Sequence, residues 1–380
     1  MSTQAFSARP EPGPPSAPVR PLPLPTIAAT RTGWVTGIII LAVLLALYCA
    51  VVYGMLLGNA VAVIAAIAAL FPLAVVVLVV RRVDRWEPEP ARLLWFAVLW
   101  GAIGSIILTD VYLVFFGTSD RVAATVIQAP ILEETTKGIG VFLLFLLARR
   151  FFDGPVDGLV YGGLVGAGFA FTENIQYFSR AIGEAGVEGL ALFFLVRGLM
   201  SPFVHVIATG LTGLALGLAA RRGLGRGACL AWGMLGLVAA MAFHAAWNAM
   251  PDPLGEFLLA YALLQVPVFA LFVGGVVYLL RQEQRLTAQR LTEYADVGWF
   301  TPEEVTAFAT PRGRSEALRW AARQPGDRRP EMRKLIAAAS GLAFARQRAT
   351  VGRDPLAATV DEPALLQAVV AARTEVLRPA

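Results

Sequence analysis

Residues 122–148 read VAATVIQAPILEETTKGIGVFLLFLLA, an apolar run long enough to cross a lipid bilayer. Two adjacent acids and a lysine, Glu133, Glu134 and Lys137, lie in the middle of this run. Moving an ionised side chain to the centre of a bilayer costs at least about 2.5–3.5 kcal/mol. The three groups must therefore face other helices or water rather than lipid. The stretch predicts both a membrane helix and a functional site.

The composition of the whole chain is that of an integral membrane protein. Hydrophobic residues make up 57% of its 380 residues and charged residues only 16%, whereas soluble chains carry about 25%. The two cysteines, Cys49 and Cys229, lie in apolar runs without a CxxC pairing, so we predict neither a disulfide framework nor a cysteine metal site. Because arginines beside the spans explain the net charge of +5, we predict no nucleic-acid partner.

Composition divides the chain into three regions. Residues 1–33 are rich in proline and poor in apolar side chains, which predicts a disordered cytoplasmic tail. Residues 34–280 form the predicted membrane domain, and residues 281–380 a cytoplasmic helical region in which Thr301 and Pro302 open a helix. The membrane domain holds eight apolar runs of about 20 residues, the length of a spanning helix. These predicted spans are 34–58, 60–80, 93–116, 122–148, 156–178, 190–220, 228–250 and 257–280.

Arginines decide the predicted orientation of the spans. They follow spans two, four, six and eight, whereas the alternate loops carry few basic residues. Cytoplasmic loops are enriched in Lys and Arg, so this pattern predicts that both termini lie in the cytoplasm. The arginines concerned are Arg81, Arg82, Arg85, Arg92, Arg149, Arg150, Arg221, Arg222, Arg226, Arg281 and Arg285. Glycines in spans five and six suit close contact between helices, namely Gly162, Gly163, Gly166, Gly168, Gly210, Gly213 and Gly217.

Both histidines of the chain, His205 and His244, lie inside predicted spans. In span six, polar residues recur every four positions and so share one predicted helix face: Arg197, Ser201, His205 and Thr209. In span seven, Asn248 follows His244 at the same spacing, and span five contributes Glu173 and Asn174. Counting residues from the loops places Glu133, Glu173 and both histidines between the bilayer midplane and its outer surface. Four spans therefore bring polar groups to one layer.

Such a set of side chains suits the activation of water. A buried glutamate can act as a general base near neutral pH, and a histidine can orient the water or protonate a leaving amine. A second histidine and an amide can donate hydrogen bonds to an oxyanion. Ser201 lies one turn from His205, but its helical spacing and the following Pro202 indicate a packing residue. We therefore predict hydrolysis without a serine or cysteine nucleophile.

Four motifs carry a resemblance to a known family. They are Glu133-Glu134-x-x-Lys137, Phe169-Ala170-x-x-Glu173-Asn174, His205 in span six and His244-x-x-x-Asn248 in span seven. The sequence Asp84-Arg-Trp-Glu87-Pro-Glu89-Pro is similar to the loop that precedes the core of the same family. Together, over residues 84–280, these motifs resemble the PrsW family of intramembrane proteases. More distantly they resemble the CAAX-prenyl protease and bacteriocin-processing superfamily.

The resemblance implies that the protein hydrolyses a peptide bond of a membrane protein, such as a single-span anti-sigma factor, in the bacterial plasma membrane. It implies that Glu133 is the general base, that Glu134 assists it, and that His244 and Asn248 stabilise the oxyanion. The wider superfamily has a histidine where this chain has Glu173, so the water-orienting role falls either to His205 or to Glu173. The supporting residues would be Lys137, Asn174 and Arg197, of which the two cations balance the acids.

The need for a metal and the choice between an enzyme and other membrane proteins both stay open at this point. His205, His244 and Glu173 could form a zinc site, but HExxH is absent and the wider superfamily is glutamate-dependent, so we expect no obligate metal. Acids and histidines inside spans also build proton-coupled transporters, although we find no internal repeat that would favour one. A non-catalytic scaffold, for instance in bacteriocin resistance, would retain the same residues.

Overall fold

The computed structural model describes residues 27–48, 59–118, 120–251, 253–352 and 357–378; residues 1–26 and Cys49 lie outside this part. Throughout the described residues the chain forms helices and no strand, which confirms the all-helical prediction. The first helix begins at Ile27, so residues 27–33 are helical rather than part of the predicted disordered tail. The chain divides into two compact units, one ending at Val276 and the other beginning at Val277.

The first unit contains the apolar helices. Their bounds are α1 (Ile27–Tyr48), α2 (Asn59–Val83), α3 (Ala91–Leu99), α4 (Ile106–Phe116), α5 (Arg121–Ala123), α6 (Ala129–Leu147), α7 (Pro155–Phe193), α8 (Val204–Arg221), α9 (Arg226–Asn248), α10 (Leu254–Ala260) and the start of α11 (Val266–Ala295). Short π-helical segments join α3 to α4, α5 to α6 and α10 to α11, namely Trp100–Ser105, Ala124–Gln128 and Tyr261–Gln265.

Five described stretches are long and apolar enough to cross a membrane, which supports a multi-pass membrane protein. They are Ala60–Val83, Ala91–Phe116, Pro155–Arg221, Arg226–Asn248 and Leu254–Ala295. The stretch Pro155–Arg221 contains both predicted spans five and six. The count of eight spans and the cytoplasmic position of the termini stay predictions.

Glycines set the distance between α7 and α8. A Cβ atom on Gly158 would lie 2.0 Å from the carbonyl oxygen of Gly213, and one on Gly213 would lie 1.9 Å from that of Gly158. Further along the same seam, a Cβ on Gly166 would lie 2.2 Å from the carbonyl oxygen of His205. The two backbones therefore touch, as small residues allow between membrane helices. This contact fixes the backbone of His205 against α7.

Gly158→Ala is expected to lower the stability of the chain, because its added methyl group meets backbone that cannot move aside. Overpacking of this kind costs about 1–3 kcal/mol or more. Thermal unfolding of the purified full chain in detergent measures the effect. Gly183→Ala, on the same helix with open space around its Cβ, is the matched control and should unfold like the wild type. Equal unfolding temperatures for both variants would contradict the close contact.

The prediction of one continuous helix over residues 190–220 is wrong. A π-helical segment, Phe194–Met200, ends before Ser201, and α8 begins only at Val204. Pro202 has no N–H to donate, and the backbone N–H and hydroxyl of Ser201 both donate to the carbonyl oxygen of Val196, at 3.0 and 2.7 Å. Arg197 and Ser201 therefore do not lie on the helix face that carries His205.

The loop that resembles the family's pre-core loop is tied to the helices by buried carboxyl groups. The backbone N–H of Glu89 donates to the Asp84 carboxylate at 3.0 Å, and the Tyr161 hydroxyl of α7 donates to the carboxylate of Glu89. Burial raises the pKa of Asp84 to about 7 and raises the pKa of Glu89 well above its usual value. The loop is therefore a fixed part of the first unit.

The second unit is a small helical bundle. Beyond the end of α11 it contains α12 (Pro302–Ala309), α13 (Pro311–Ala322), α14 (Arg329–Thr350) and α15 (Glu362–Val376). Its buried core includes Leu291, Phe308, Leu335, Leu342 and Val369. The predicted helix start at Thr301 is confirmed, since its hydroxyl accepts from the backbone N–H of Glu304 at 3.2 Å.

Candidate active site

The carboxylate of Glu134 is held by side chains from three helices. Its Oε1 lies 2.7 Å from Lys137 Nζ on α6 and 3.0 Å from His244 Nδ1 on α9, and its Oε2 accepts from the Thr209 hydroxyl of α8 at 2.9 Å. Glu134 and Lys137 are both fully buried. A carboxylate that accepts from three side chains is well satisfied, so Glu134 fixes its neighbours in place.

The neighbouring carboxylate of Glu133 has looser contacts. Its Oε2 lies 3.4 Å from Lys137 Nζ and 3.8 Å from His244 Nε2, and the side chain keeps 13% of its surface exposed. The two acids differ because successive residues of a helix point about 100° apart. Glu134 is enclosed between helices, whereas Glu133 faces the two histidines and keeps part of its side chain exposed.

His244 bridges the two acids. Its Nδ1 faces Glu134 and its Nε2 faces Glu133, and only 2% of the side chain is exposed. A carboxylate can only accept, so the contact of 3.0 Å with Glu134 assigns the proton to Nδ1. The Nε2 atom, turned toward Glu133, is then the one that can accept or carry a further proton.

His205 connects the acids of α6 to the acid of α7. Its Nδ1 lies 3.1 Å from Lys137 Nζ and its Nε2 lies 2.9 Å from the Glu173 carboxylate. An ammonium group can only donate, so Nδ1 accepts and Nε2 carries the proton toward Glu173. Its ring lies edge-on to that of His244, with centroids 5.0 Å apart. The edge of one imidazole ring therefore faces the other ring.

Two cations balance part of the negative charge. Arg197 pairs with Glu173 and donates from Nε to the Asn174 side-chain oxygen at 2.9 Å. Lys137 pairs most closely with Glu134, at 2.7 Å. Against three glutamates this leaves one negative charge. The carboxylate without a cation of its own is that of Glu133.

The described hydrogen bond of Asn248 is to a backbone carbonyl group. Asn248 follows His244 by one turn of α9, but its side-chain amide donates to the carbonyl oxygen of Thr125 at 2.9 Å. Its assignment to the oxyanion therefore stays a prediction. Sequence reasoning named Thr209 only as part of a polar stripe and gave Phe169 no role. In the structure Thr209 binds Glu134, and Phe169 places its ring centroid 3.8 Å from Lys137 Nζ.

Comparison with known proteins finds a matching family. A family model described as PrsW family intramembrane metalloprotease matches residues 89–272. Over these 184 of its 380 residues the chain is similar to the PrsW family. It is 26% identical over 196 residues to Protease PrsW of Bacillus subtilis (strain 168), a match that covers 50% of this chain and 83% of that relative. It is 29% identical over 127 residues to Protease PrsW of Geobacillus kaustophilus (strain HTA426), a match that covers 30% of this chain and 55% of that relative. No solved structure matches the chain.

These matches confirm the resemblance predicted from the motifs and support an intramembrane peptidase. The matched region begins at the buried Glu89 and ends in α11, close to the predicted motif core of residues 84–280. It contains all of the predicted site residues. The peptidase interpretation is thereby supported over the transporter and the scaffold.

Because the matching family is described as metalloproteases, the site has to be tested for residues that could bind a metal ion. Among the described residues, one ligand atom each from Glu133, His205 and His244 lie within 4.8 Å of one another, and these side chains could hold a metal ion. This set has Glu133 where the sequence suggested Glu173. The donor types are those of a catalytic zinc site, and a carboxylate on His244 Nδ1 is the usual outer partner of a zinc-bound histidine.

The charge next to these three side chains disfavours a bound metal ion. The ammonium group of Lys137 lies 3.4 Å from Glu133 and 3.1 Å from His205, two of the three candidate ligands. Both nitrogens of His205 already have partners, Lys137 and Glu173. A divalent ion would have to displace one of these contacts and would lie close to a buried positive charge. As arranged here, the residues do not fit a bound metal.

Proposed function

We propose that this PrsW-like protein hydrolyses a peptide bond of a single-span membrane protein with water that is activated by Glu133. The observation that carries the proposal is the difference between the two adjacent acids. Glu134 is enclosed by Lys137, Thr209 and His244, whereas Glu133 has longer contacts and 13% exposure. Of the three glutamates at the site, Glu133 alone combines a partly exposed side chain with a carboxylate whose nearest cation pairs more closely with another acid.

The chemistry follows from this arrangement. Glu133 accepts a proton from water as the oxygen attacks the carbonyl carbon of the scissile bond, and a tetrahedral oxyanion forms. The proton then passes to the leaving nitrogen, for which His244 Nε2 is in position because it faces Glu133 at 3.8 Å. The backbone contact between α7 and α8 and the Glu134 hydrogen bonds hold both histidines during these steps.

The remaining side chains hold the site in its geometry and do not transfer protons. Glu173 and Lys137 fix His205 by binding its two nitrogens, and Arg197 fixes Glu173. Because the N–H of His205 is already donated to Glu173, the amide of Asn248 after a side-chain rotation is the group that would supply a hydrogen bond to the oxyanion. We further propose eight spans with both termini in the cytoplasm, on the strength of the apolar runs and the arginine pattern. The similarity to PrsW proteins of two bacteria supports a location in the bacterial plasma membrane.

Comparative membrane proteomics of cells with wild-type protein and with Glu133→Gln tests the proposal. We expect a single-span membrane protein to accumulate uncut in the variant and to appear as fragments in the wild type. Identical membrane proteomes would contradict proteolysis by this site. A strain with Glu184→Gln, which changes an exposed acid of α7, is the matched control and should match the wild type.

The contacts of Lys137 lead to a prediction about zinc. Cleavage by the wild type is expected to persist, within about twofold, after treatment with a strong chelator, because Lys137 already supplies positive charge to Glu133 and His205. Lys137→Met removes that charge, so added zinc should raise the thermal unfolding temperature of this variant more than that of the wild type. Loss of wild-type cleavage on chelation, with recovery on adding zinc, would overturn the metal-independent mechanism.

A further inference from the structure

One acid inside the third predicted span takes no part in the active site. Asp110 lies on α4, about six residues or roughly 9 Å before that helix ends at Phe116, which is the outer end in the proposed orientation. One of its carboxylate oxygens accepts from the Tyr48 hydroxyl of α1 at 2.9 Å. Ionisable groups inside membrane spans are costly and mark functional sites. Asp110 is therefore a candidate for a second site.

Asp110 has no cation as a partner within the described part of the chain. The three glutamates of the active site each contact Lys137 or Arg197, whereas the described contact of Asp110 is the hydrogen bond from Tyr48. That bond uses Oδ2, so Oδ1 can accept from another group. The Tyr48 oxygen in turn accepts from the Gln176 amide of α7 at 3.3 Å. The carboxyl group is thus held in place with one oxygen unused.

This carboxyl group lines an open cleft between the end of α1 and the outer half of α4. The volume of the cleft is about 260 Å³. A water molecule occupies about 30 Å³ of the liquid, so the cleft has room for a long side chain. Apart from Asp110 and Tyr48, the lining residues are all apolar, namely Ile107, Val111, Val114 and Phe115.

The outer end of the third predicted span is left uncovered by the described helices. Toward the inner end, Leu93 and Ala97 of α3 are fully buried, and α1 packs along α3 and the π-helical segment Trp100–Ser105. Toward the outer end, Val114 and Phe115 are 80% and 76% exposed. The same span is packed at one end and bare at the other, which leaves room for a further helix beside the cleft.

The residue next to Asp110 connects this part of α4 to the active site. Thr109 Oγ1 lies 3.2 Å from Oγ1 of Thr136 on α6, and the Thr136 hydroxyl donates to the carbonyl oxygen of Glu133 at 3.0 Å. Therefore α4 lies against the turn of α6 that carries the proposed base. A helix bound along the outer end of α4 would lie close to that turn.

We propose that this cleft docks the transmembrane helix of the substrate and that Asp110 pairs with a lysine or arginine in the outer part of that helix; this rests on the proposed peptidase function. Charge complementarity identifies the occupant. A basic residue at this depth is costly in lipid, and a carboxylate without a cation of its own offers it a partner. The apolar lining accommodates the methylene groups of the long basic side chain. The cleft thereby selects substrates by a feature away from the scissile bond.

Photocrosslinking in phosphatidylcholine proteoliposomes measures docking without hydrolysis. A benzophenone amino acid replaces Val114 in the full chain that carries Glu133→Gln. The probes are two synthetic transmembrane peptides of Leu and Ala, about 24 residues long, with either Lys or Leu about six residues from one end. We expect the Lys peptide to crosslink at least about fivefold more, the effect of one ion pair. With the benzophenone at Leu235 of α9, which is 67% exposed and outside the cleft, both peptides should crosslink equally.

Three variants separate recognition of the cation from a structural role of Asp110. Asp110→Asn keeps the shape of the side chain and an acceptor for Tyr48 but removes the charge, so the preference for the Lys peptide should disappear. Asp110→Glu keeps the charge and Tyr48→Phe keeps the acid, so both should retain the preference. If Asp110 only held α1 against α4, the parent chain would show no preference and Tyr48→Phe would unfold at a lower temperature, as Asp110→Asn would.

Equal crosslinking of the two peptides at Val114, or a preference that survives Asp110→Asn, would overturn the proposal. A preference that is lost when phosphatidylethanolamine replaces phosphatidylcholine would also overturn it, because a lipid amine would then occupy the cleft. Should Asp110→Asn not fold, the comparison of the two peptides in the parent chain and in Asp110→Glu still decides. Since crosslinking needs no hydrolysis, a failure of Glu133-dependent cleavage would count against the proposed function alone, and loss of the Lys preference against the docking site alone.

Discussion

Glu133→Gln is expected to lower the rate of substrate cleavage by about 10²–10⁴-fold, the usual contribution of a general base. Glutamine keeps the shape of glutamate but cannot accept the proton of the attacking water. The thermal unfolding temperature should stay within about 2 °C of the wild type, because the contacts of Glu133 with Lys137 and His244 are long, at 3.4 and 3.8 Å. Cleavage in proteoliposomes of the protein that accumulates in the variant strain, together with thermal unfolding in detergent, measures both quantities.

Glu184→Gln is the control for this experiment, since it removes a carboxylate on the exposed surface of α7. It should retain both rate and stability. A cleavage rate for Glu133→Gln within about threefold of the wild type would show that another group activates the water. Glu173 would then be the next carboxylate to test, because it contacts His205 at 2.9 Å.

The sequence was enough to predict that α6, α7, α8 and α9 each bring a polar group to one site. Ionised residues are costly in lipid, so their appearance in apolar runs is a strong signal even without an alignment. The family resemblance assigned the base to Glu133, but the residue pattern alone did not distinguish the surroundings of Glu133 from those of Glu134. That difference depends on Thr209 and His244, which lie 75 and 110 residues away along the chain, and helix periodicity carries no information about such contacts.

Other features could not be read from periodicity because a competing local effect decides them. The regular spacing of Arg197, Ser201, His205 and Thr209 favoured one helix face, but Pro202 and the hydrogen bonds of Ser201 interrupt the helix. The pairing of Arg197 with Glu173 joins residues on either side of the bend at Ala185 and Gly186. Gly186 adopts a positive φ of 60°, which glycine tolerates and which redirects the chain.

Glu134→Gln is expected to cause the largest loss of stability of any substitution in the site, about 3–5 kcal/mol. Lys137 is fully buried and has its closest contact with Glu134, at 2.7 Å, so the variant leaves a buried cation without its main partner. Three donors converge on the carboxylate, from Lys137, Thr209 and His244, and an amide offers only one oxygen to accept them. Thermal unfolding in detergent should show a decrease of about 10 °C or more.

The double variant Glu134→Gln with Lys137→Met separates loss of charge balance from loss of shape. Removing the cation together with its partner should recover at least about half of the lost stability, because breaking one side of a buried pair costs more than replacing both sides. Cleavage should not recover, since neither His244 nor His205 regains the partner that orients its ring. If Glu134→Gln alone unfolded at the wild-type temperature, Glu134 would not be the structural centre of the site. Glu133 would then be the candidate for the structural role, and Glu134 the candidate for the general base.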